Sequence, residues 1–199
     1  MTATNERRTT LTRKTRETDI QIELCLDGSG QYEISTGIAF FDHMLESFAK
    51  HAAFDLQLRA QGDLSVDFHH TVEDVGIALG SALREALGDA RGIRRYGFFV
   101  LPMAESRVDV SLDVSNRAYL VYKVEVANDR VRDFDVSLVE DFLYAFSQNA
   151  GIDLHVERSY GHNVHHILEG IFKGLGRALD EATTIDPRIR GALSTKGSL

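Results

Sequence analysis

A single cysteine, Cys25, stands among 199 residues, so no disulfide can form within the chain and a reducing compartment suits it. Basic residues are scarce beside acids: 22 Lys and Arg face 30 Asp and Glu, giving a formal net charge of -8. That balance excludes general adhesion to nucleic acid or to anionic membranes, which needs a positive surface. No apolar run approaches the roughly 20 residues that a membrane span requires. The opening stretch MTATNERRTTLTRKTRET also lacks the apolar core of a secretory signal. These absences point to a cytoplasmic globular protein with neither nucleic acid nor membrane as a partner. With 43% hydrophobic residues the chain can bury one substantial core, as a single domain over 1–199 or as two tightly fused halves.

Histidine, by contrast, is plentiful. Eight are present, and six lie in or beside short acidic motifs, chiefly VDFHHTVEDVG (66–76) and NVHHILEG (163–170). The pairs His69-His70 and His165-His166 are 96 positions apart, and the offset persists: Glu73 falls on Glu169, Gly80 on Gly176 and Leu83 on Leu179. Upstream the offset becomes 98, setting His43 on Asp141, Phe48 on Phe146 and Asp55 on Asp153. At the start of each half it is 88, placing Glu17 on Glu105. The chain is an internal duplication, with halves at about 8–92 and 93–186 and a tail at 187–199.

Each half reads alike. DIQIELCL (19–26) and RVDVSLDV (107–114) alternate as half-buried strands do. The turn DGSGQ leads to a partner strand around YEIST, in the manner of a hairpin return, and SNRAYLVYKVEV (115–126) matches it. IAFFDHMLESFAKHA and VSLVEDFLYAFSQNA carry helical apolar stripes, FDLQLRAQG and IDLHVERSYG alternate again, and a helix leaves each His-His motif, capped by Asp67 or Asn163. The fold class is α+β: two β-β-β-α-β-α halves, stacked helix layer on helix layer with sheets outside.

On a helix, adjacent residues point about 100° apart, whereas i, i+3 and i+4 share a face. A carboxylate one turn on can therefore chelate with one imidazole of each pair, while the other imidazole is aimed at a second site. With His43 on the preceding helix, the set is rich in nitrogen and oxygen donors and has no thiolate. That argues against a structural zinc knot and for Mn, Fe, Zn or Ni. A lone His-His-Glu at a helix start is more often capping and surface polarity; its repetition in register favours metal. Arg95, Arg117, Lys173 and Lys196 are cations near glycines or turns that could neutralise a phosphate, although isolated basic residues usually face solvent. Ser194 and Lys196 lie in GALSTKGSL, a tail that would ordinarily fray.

With FFDHML, HHTVEDVGIALG, GIRRYG, HHILEGIFKGLGRAL and STKG in view, the chain closely resembles the imidazoleglycerol-phosphate dehydratases of histidine biosynthesis, over nearly its whole length. The resemblance implies a ribosomal-protein-S5-domain-2-like fold with helices between two mixed four-stranded sheets. It implies dehydration of D-erythro-imidazole-glycerol phosphate to imidazole-acetol phosphate, with two Mn(II) per active site. One ion would take His69, Asp141, His165 and Glu169, the other His43, His70, Glu73 and His166. Glu17 matches the position of the base, Glu169 would also handle the imidazole proton, and Arg95, Arg117, Lys173, Ser194 and Lys196 match phosphate-binding positions. Trimers would gather into a 24-subunit shell, with sites completed between subunits. The chain begins and ends with this pattern, so no attached phosphatase domain is expected.

Some positions depart from the family pattern. Asp141 stands where Glu or His is usual, one methylene shorter than Glu, and Ser47, Phe68 and Ala104 differ from common residues near the same motifs. Two rival readings remain open on the residues alone: another dinuclear metal-dependent hydrolase or lyase, and a noncatalytic metal-dependent assembly protein.

Overall fold

A computed structural model describes residues 7–197. The first half runs β1 (Arg8–Lys14), β2 (Thr18–Cys25), β3 (Tyr32–Ser35), α1 (Ala39–Ala52), β4 (Asp55–Gly62) and α2 (His69–Leu87). The second runs β5 (Tyr96–Met103), β6 (Ser106–Asp113), β7 (Tyr119–Lys123), a short hairpin of β8 (Arg130–Val131) and β9 (Phe134–Asp135), then α3 (Leu138–Ala150), β10 (Asp153–Tyr160) and α4 (Val164–Thr183). The sheets have orders β1-β2-β4-β3 and β5-β6-β10-β7, the same order built twice. Period-two alternation explains the central strands: Ile20, Ile22 and Leu24 of β2, like Val108, Val110 and Leu112 of β6, turn inward and are buried. No helix among the described residues is long and apolar enough to cross a membrane.

The hairpin return is the one local expectation that fails. β3 does not pair with β2; it lies parallel to β4, with Tyr32 opposite Leu56 and Ser35 opposite Arg59. β7 is parallel to β10 in the same way. A parallel neighbour needs a crossover, and α1 and α3 supply it, each sending the chain back over its sheet. The β8–β9 hairpin has no counterpart among the described residues of the first half.

The helices do not pair within their own halves. α1 and α2 cover the first sheet, α3 and α4 pack on the second, and across the middle α2 lies on α3 while α1 lies on α4. The halves are thus interlocked around one core. Two register-matched glycines permit the close crossings: a Cβ on Gly80 would run into the Phe146 carbonyl oxygen, and one on Gly176 would come 2.6 Å from that of Phe48. Between the layers, Phe142 stacks on Phe172 at 5.3 Å between centroids and meets Phe41 edge-on at 5.4 Å. Burial of each such ring stabilises the fold by roughly 1.5–3 kcal/mol.

Candidate active site

The helix pairing decides which of the candidate residues meet. α1 carries His43 to the start of α4, where His165 and Glu169 lie one turn apart on one face. Their donor atoms fall within 4.8 Å of one another, with His165 Nε2 3.1 Å and His43 Nε2 3.7 Å from Glu169 Oε2. α2 and α3 form the register-related counterpart: His69 Nε2 is 3.9 Å from Glu73 Oε2, and His69 Nδ1 is 3.6 Å from Asp141 Oδ2. The duplication sets His69 on His165, Glu73 on Glu169 and Asp141 on His43, so one constellation has been made twice, the second time with a carboxylate for an imidazole. The four-ligand sets implied by the resemblance draw on both constellations, and neither set is gathered within one chain. The reason is the crossing of the helices, which joins α1 to α4 and α2 to α3.

Asn163 caps α4 as the sequence sets it, whereas Phe68 holds the cap position of α2 and Asp67 stands one residue before it. Asn163 Oδ1 accepts from the backbone N–H groups of His165 and His166 at 3.0 and 3.4 Å, and Asp67 Oδ1 accepts from that of His69 at 2.8 Å. Fixing each first turn fixes both imidazoles of the pair, whose rings stand at 79° in α2 and 87° in α4. The second imidazole of each pair faces a carboxylate. His70 Nδ1 is 3.0 Å from Asp63, and His166 Nδ1 is 2.8 Å from Glu105. The hydrogen bond that His70 donates to Asp63 raises the His70 pKa above its ordinary value. Glu105 lies well below the usual carboxylate range, because His166, Ser106 and the Asn163 amide all donate to it.

Glu169 is buried, which works against its charge. The Lys173 ammonium at 2.7 Å, with His43 and His165, nevertheless holds its carboxyl below the ordinary value. Ionised carboxylates and imidazoles without a thiolate form a donor set suited to a hard or borderline divalent ion, and His43, His165 and Glu169 bring three such donors together.

Glu17 sits at the tip of the β1–β2 turn, half-exposed, its Oε1 3.9 Å from His70 Nε2. Thr15 Oγ1 accepts from the backbone N–H groups of Glu17 and Thr18. Buried Asp74, next to Glu73, accepts from Arg13 at 2.7 Å and from Thr18 Oγ1, so the turn that carries Glu17 is braced from α2.

A separate cleft of about 1030 Å³ opens between Arg95, the β6–β7 loop and the C-terminal tail, lined by Arg95, Arg117, Ser194 and Lys196 together with Arg188 and Arg190. Arg95 has a left-handed backbone (φ 74°) and grips Asp113 at 2.6 and 2.9 Å. It also donates to the Leu193 carbonyl at 2.7 Å, and Gly92 N–H donates to Gly191 O, so the tail is tied down within its own chain as far as it is described. Lys173 does not line this cleft; it serves Glu169. Sequence reasoning missed Asp63, Arg188 and Arg190 as site residues, and took Glu105 only as the register partner of Glu17.

A sequence profile of the imidazoleglycerol-phosphate dehydratases matches residues 36–179. The imidazoleglycerol-phosphate dehydratase of Alkaliphilus metalliredigens is 57% identical over 187 residues, covering 94% of this chain and 96% of that protein. That of Acetivibrio thermocellus is 54% identical, covering 98% and 100%. Among solved structures, the dehydratase of Pyrococcus furiosus, in complex with (S)-C348, superposes with a TM-score of 0.83 at 39% identity, over 95% of this chain and 100% of that one. The Staphylococcus aureus enzyme gives 0.82 at 35% identity, over 90% and 99%. Coverage that is nearly complete in both directions, on a duplicated scaffold carrying its His-His-Glu motif twice in register, makes this chain a member of the imidazoleglycerol-phosphate dehydratase family.

Proposed function

We propose that the chain dehydrates D-erythro-imidazole-glycerol phosphate to imidazole-acetol phosphate and water, a hydro-lyase reaction of histidine biosynthesis carried out in the cytoplasm. The observation that carries this reading is the paired constellation His43/His165/Glu169 and His69/Glu73/Asp141, each flanked by a second imidazole, His166 or His70, with Glu17 beside His70. Apart from Glu17, these eight side chains would hold two Mn(II). When bound, the ions supply Lewis acidity that favours the anionic form of the substrate's imidazole ring.

The chain's own groups do the rest. Glu17, held on a braced turn, takes the proton from the carbon that bears no activating carbonyl. Glu169, kept ionised by Lys173, accepts the imidazole proton. The electrons of the ring then expel the hydroxide on the adjacent carbon, which leaves as water with a proton. Loss of the carbon proton gives an enol that tautomerises to the ketone. Arg95, Arg117, Ser194 and Lys196 grip the phosphate and fix the chain of the substrate so that its carbon faces the base; pre-paid orientation is their contribution. Except for buried Glu169 the ligand side chains are at least partly exposed, and each constellation supplies three donors from one chain, which supports completion of the sites by neighbouring subunits in trimers assembled into a 24-subunit shell. Lys173 would reach phosphate in that setting.

The test is reconstitution. Chelator-stripped protein given Mn(II) should form a ketone from imidazole-glycerol phosphate and regain a large particle size on a sizing column. Absence of product with every divalent metal tried would remove the assignment.

A further inference from the structure

The two halves anchor their second imidazole differently. In the second half Glu105 does it: Oε2 meets His166 Nδ1 at 2.8 Å, while Oε1 accepts from Ser106 Oγ at 2.7 Å and from the Asn163 N–H at 2.8 Å. Every side of that carboxylate is engaged. Its register counterpart is Glu17, which does not hold His70 Nδ1. Asp63 takes that place, 3.0 and 3.3 Å from its two oxygens, and Glu17 is left on the Nε2 side of the ring at 3.9 Å. Asp63 follows β4 directly, and the position that follows β10 is Gly161. A side chain there would collide with Ser106, the neighbour of Glu105. One half therefore has an anchoring acid at the turn and glycine after the strand; the other has an anchoring acid after the strand and an unengaged acid at the turn.

We propose that Asp63 is a positioning residue which holds His70 through Nδ1, presents Nε2 to a metal ion, and thereby leaves Glu17 free to serve as base. A carboxylate that accepts the Nδ1 hydrogen fixes both the tautomer and the direction of the ring. Glu105 does the same for His166, and that engagement withdraws it from proton transfer. The division of labour between two halves of common origin thus follows from which of two positions carries the anchor. The inference rests on the metal-centre reading above.

Among the described residues the Asp63 carboxylate makes hydrogen bonds with His70 alone, so the fold should survive its removal. Asp63→Ala should weaken Mn(II) binding, read by calorimetry on stripped protein, by about tenfold to a hundredfold. Asp63→Asn, whose amide oxygen still accepts from Nδ1, should fall between, and Glu105→Gln should weaken binding likewise. Glu17→Gln should leave Mn(II) affinity at the wild-type value. The unfolding temperature of metal-free Asp63→Ala should equal that of wild type, which separates orientation from general support. Wild-type affinity in Asp63→Ala, or weakened affinity in Glu17→Gln, would overturn the inference while leaving the dehydratase assignment standing. Wild-type protein that binds no Mn(II) would overturn the metal centre, and this inference with it.

Discussion

At the scale of single residues, the site separates acids by what already touches them. Glu105 and Asp63 are engaged by imidazoles and Glu169 by Lys173 and two histidines, whereas Glu17, 3.9 Å from His70, like Glu73 and Asp141 has no imidazole closer than 3.6 Å. A positioned general base contributes about 10²–10⁴ in rate. Glu17→Gln is isosteric and keeps the backbone contacts of its turn, so turnover should fall by that factor while Mn(II) content and particle size hold. Substantial residual turnover would take the base role from Glu17. The histidine pairs and their one-turn acids were legible in the sequence because a helix has a fixed period and the motif occurs twice. Asp63 was not, since it lies in QGDLSVD, a turn with two acids and no period to distinguish the useful one. The clustering of Arg188 and Arg190 with Arg95 was equally hidden, because only the returning tail brings them together.

Between elements, the decisive fact is that helices of different halves cross closely. Periodicity gave each helix its buried stripe, and Phe41, Leu45 and Phe48 or Phe142, Leu143 and Phe146 are buried as the stripes require. It could not say which stripe faces which, nor that β3 would lie beside β4, because pairing is a property of two segments and the pattern describes one. The duplicated Gly80 and Gly176 were the available clue, read only as register marks. Their role can be tested at Gly176. An added methyl would meet backbone atoms of α1, the Phe48 carbonyl at 2.6 Å and the Ala52 nitrogen at 2.9 Å, and backbone cannot step aside as a flexible side chain can. Gly176→Ala should therefore push α1 from α4 at a cost of about 1–3 kcal/mol of overpacking. The gain in helix propensity offsets at most about 1 kcal/mol of that cost. Chemical denaturation measures the difference. His43 rides on α1, so Mn(II) titration should show weakened binding as well; unchanged affinity would mean that the crossing does not set the ligand geometry.

For the molecule as a whole, duplication explains both the common architecture of the halves and the asymmetry of their chemistry, and the surplus of acid sets the response to pH. Several aspartates outside the proposed ligand set are ionised to the benefit of the fold. Asp27 is held below its ordinary pKa by Arg7, Asp55 by the backbone amides of Ser29 and Gln31, Asp135 by Ser137, and Asp186 by Arg188. In the unfolded chain these groups return to about 4. Below that value the unfolded state binds protons that the folded state refuses, so stability falls as pH drops toward the depressed folded values. Above it both states are ionised and the contribution is complete. Metal-free protein should accordingly keep its unfolding temperature from these four groups between pH 7 and pH 5, and lose it progressively as pH is lowered below about 4. Asp186→Asn offers the control. Arg188 and the Arg188 amide would then face a neutral partner, the variant should start less stable at pH 7, and its midpoint should fall less steeply on acidification than that of the wild type. Parallel acid slopes for the two proteins would show that the Asp186–Arg188 pair, though short, carries no net stability.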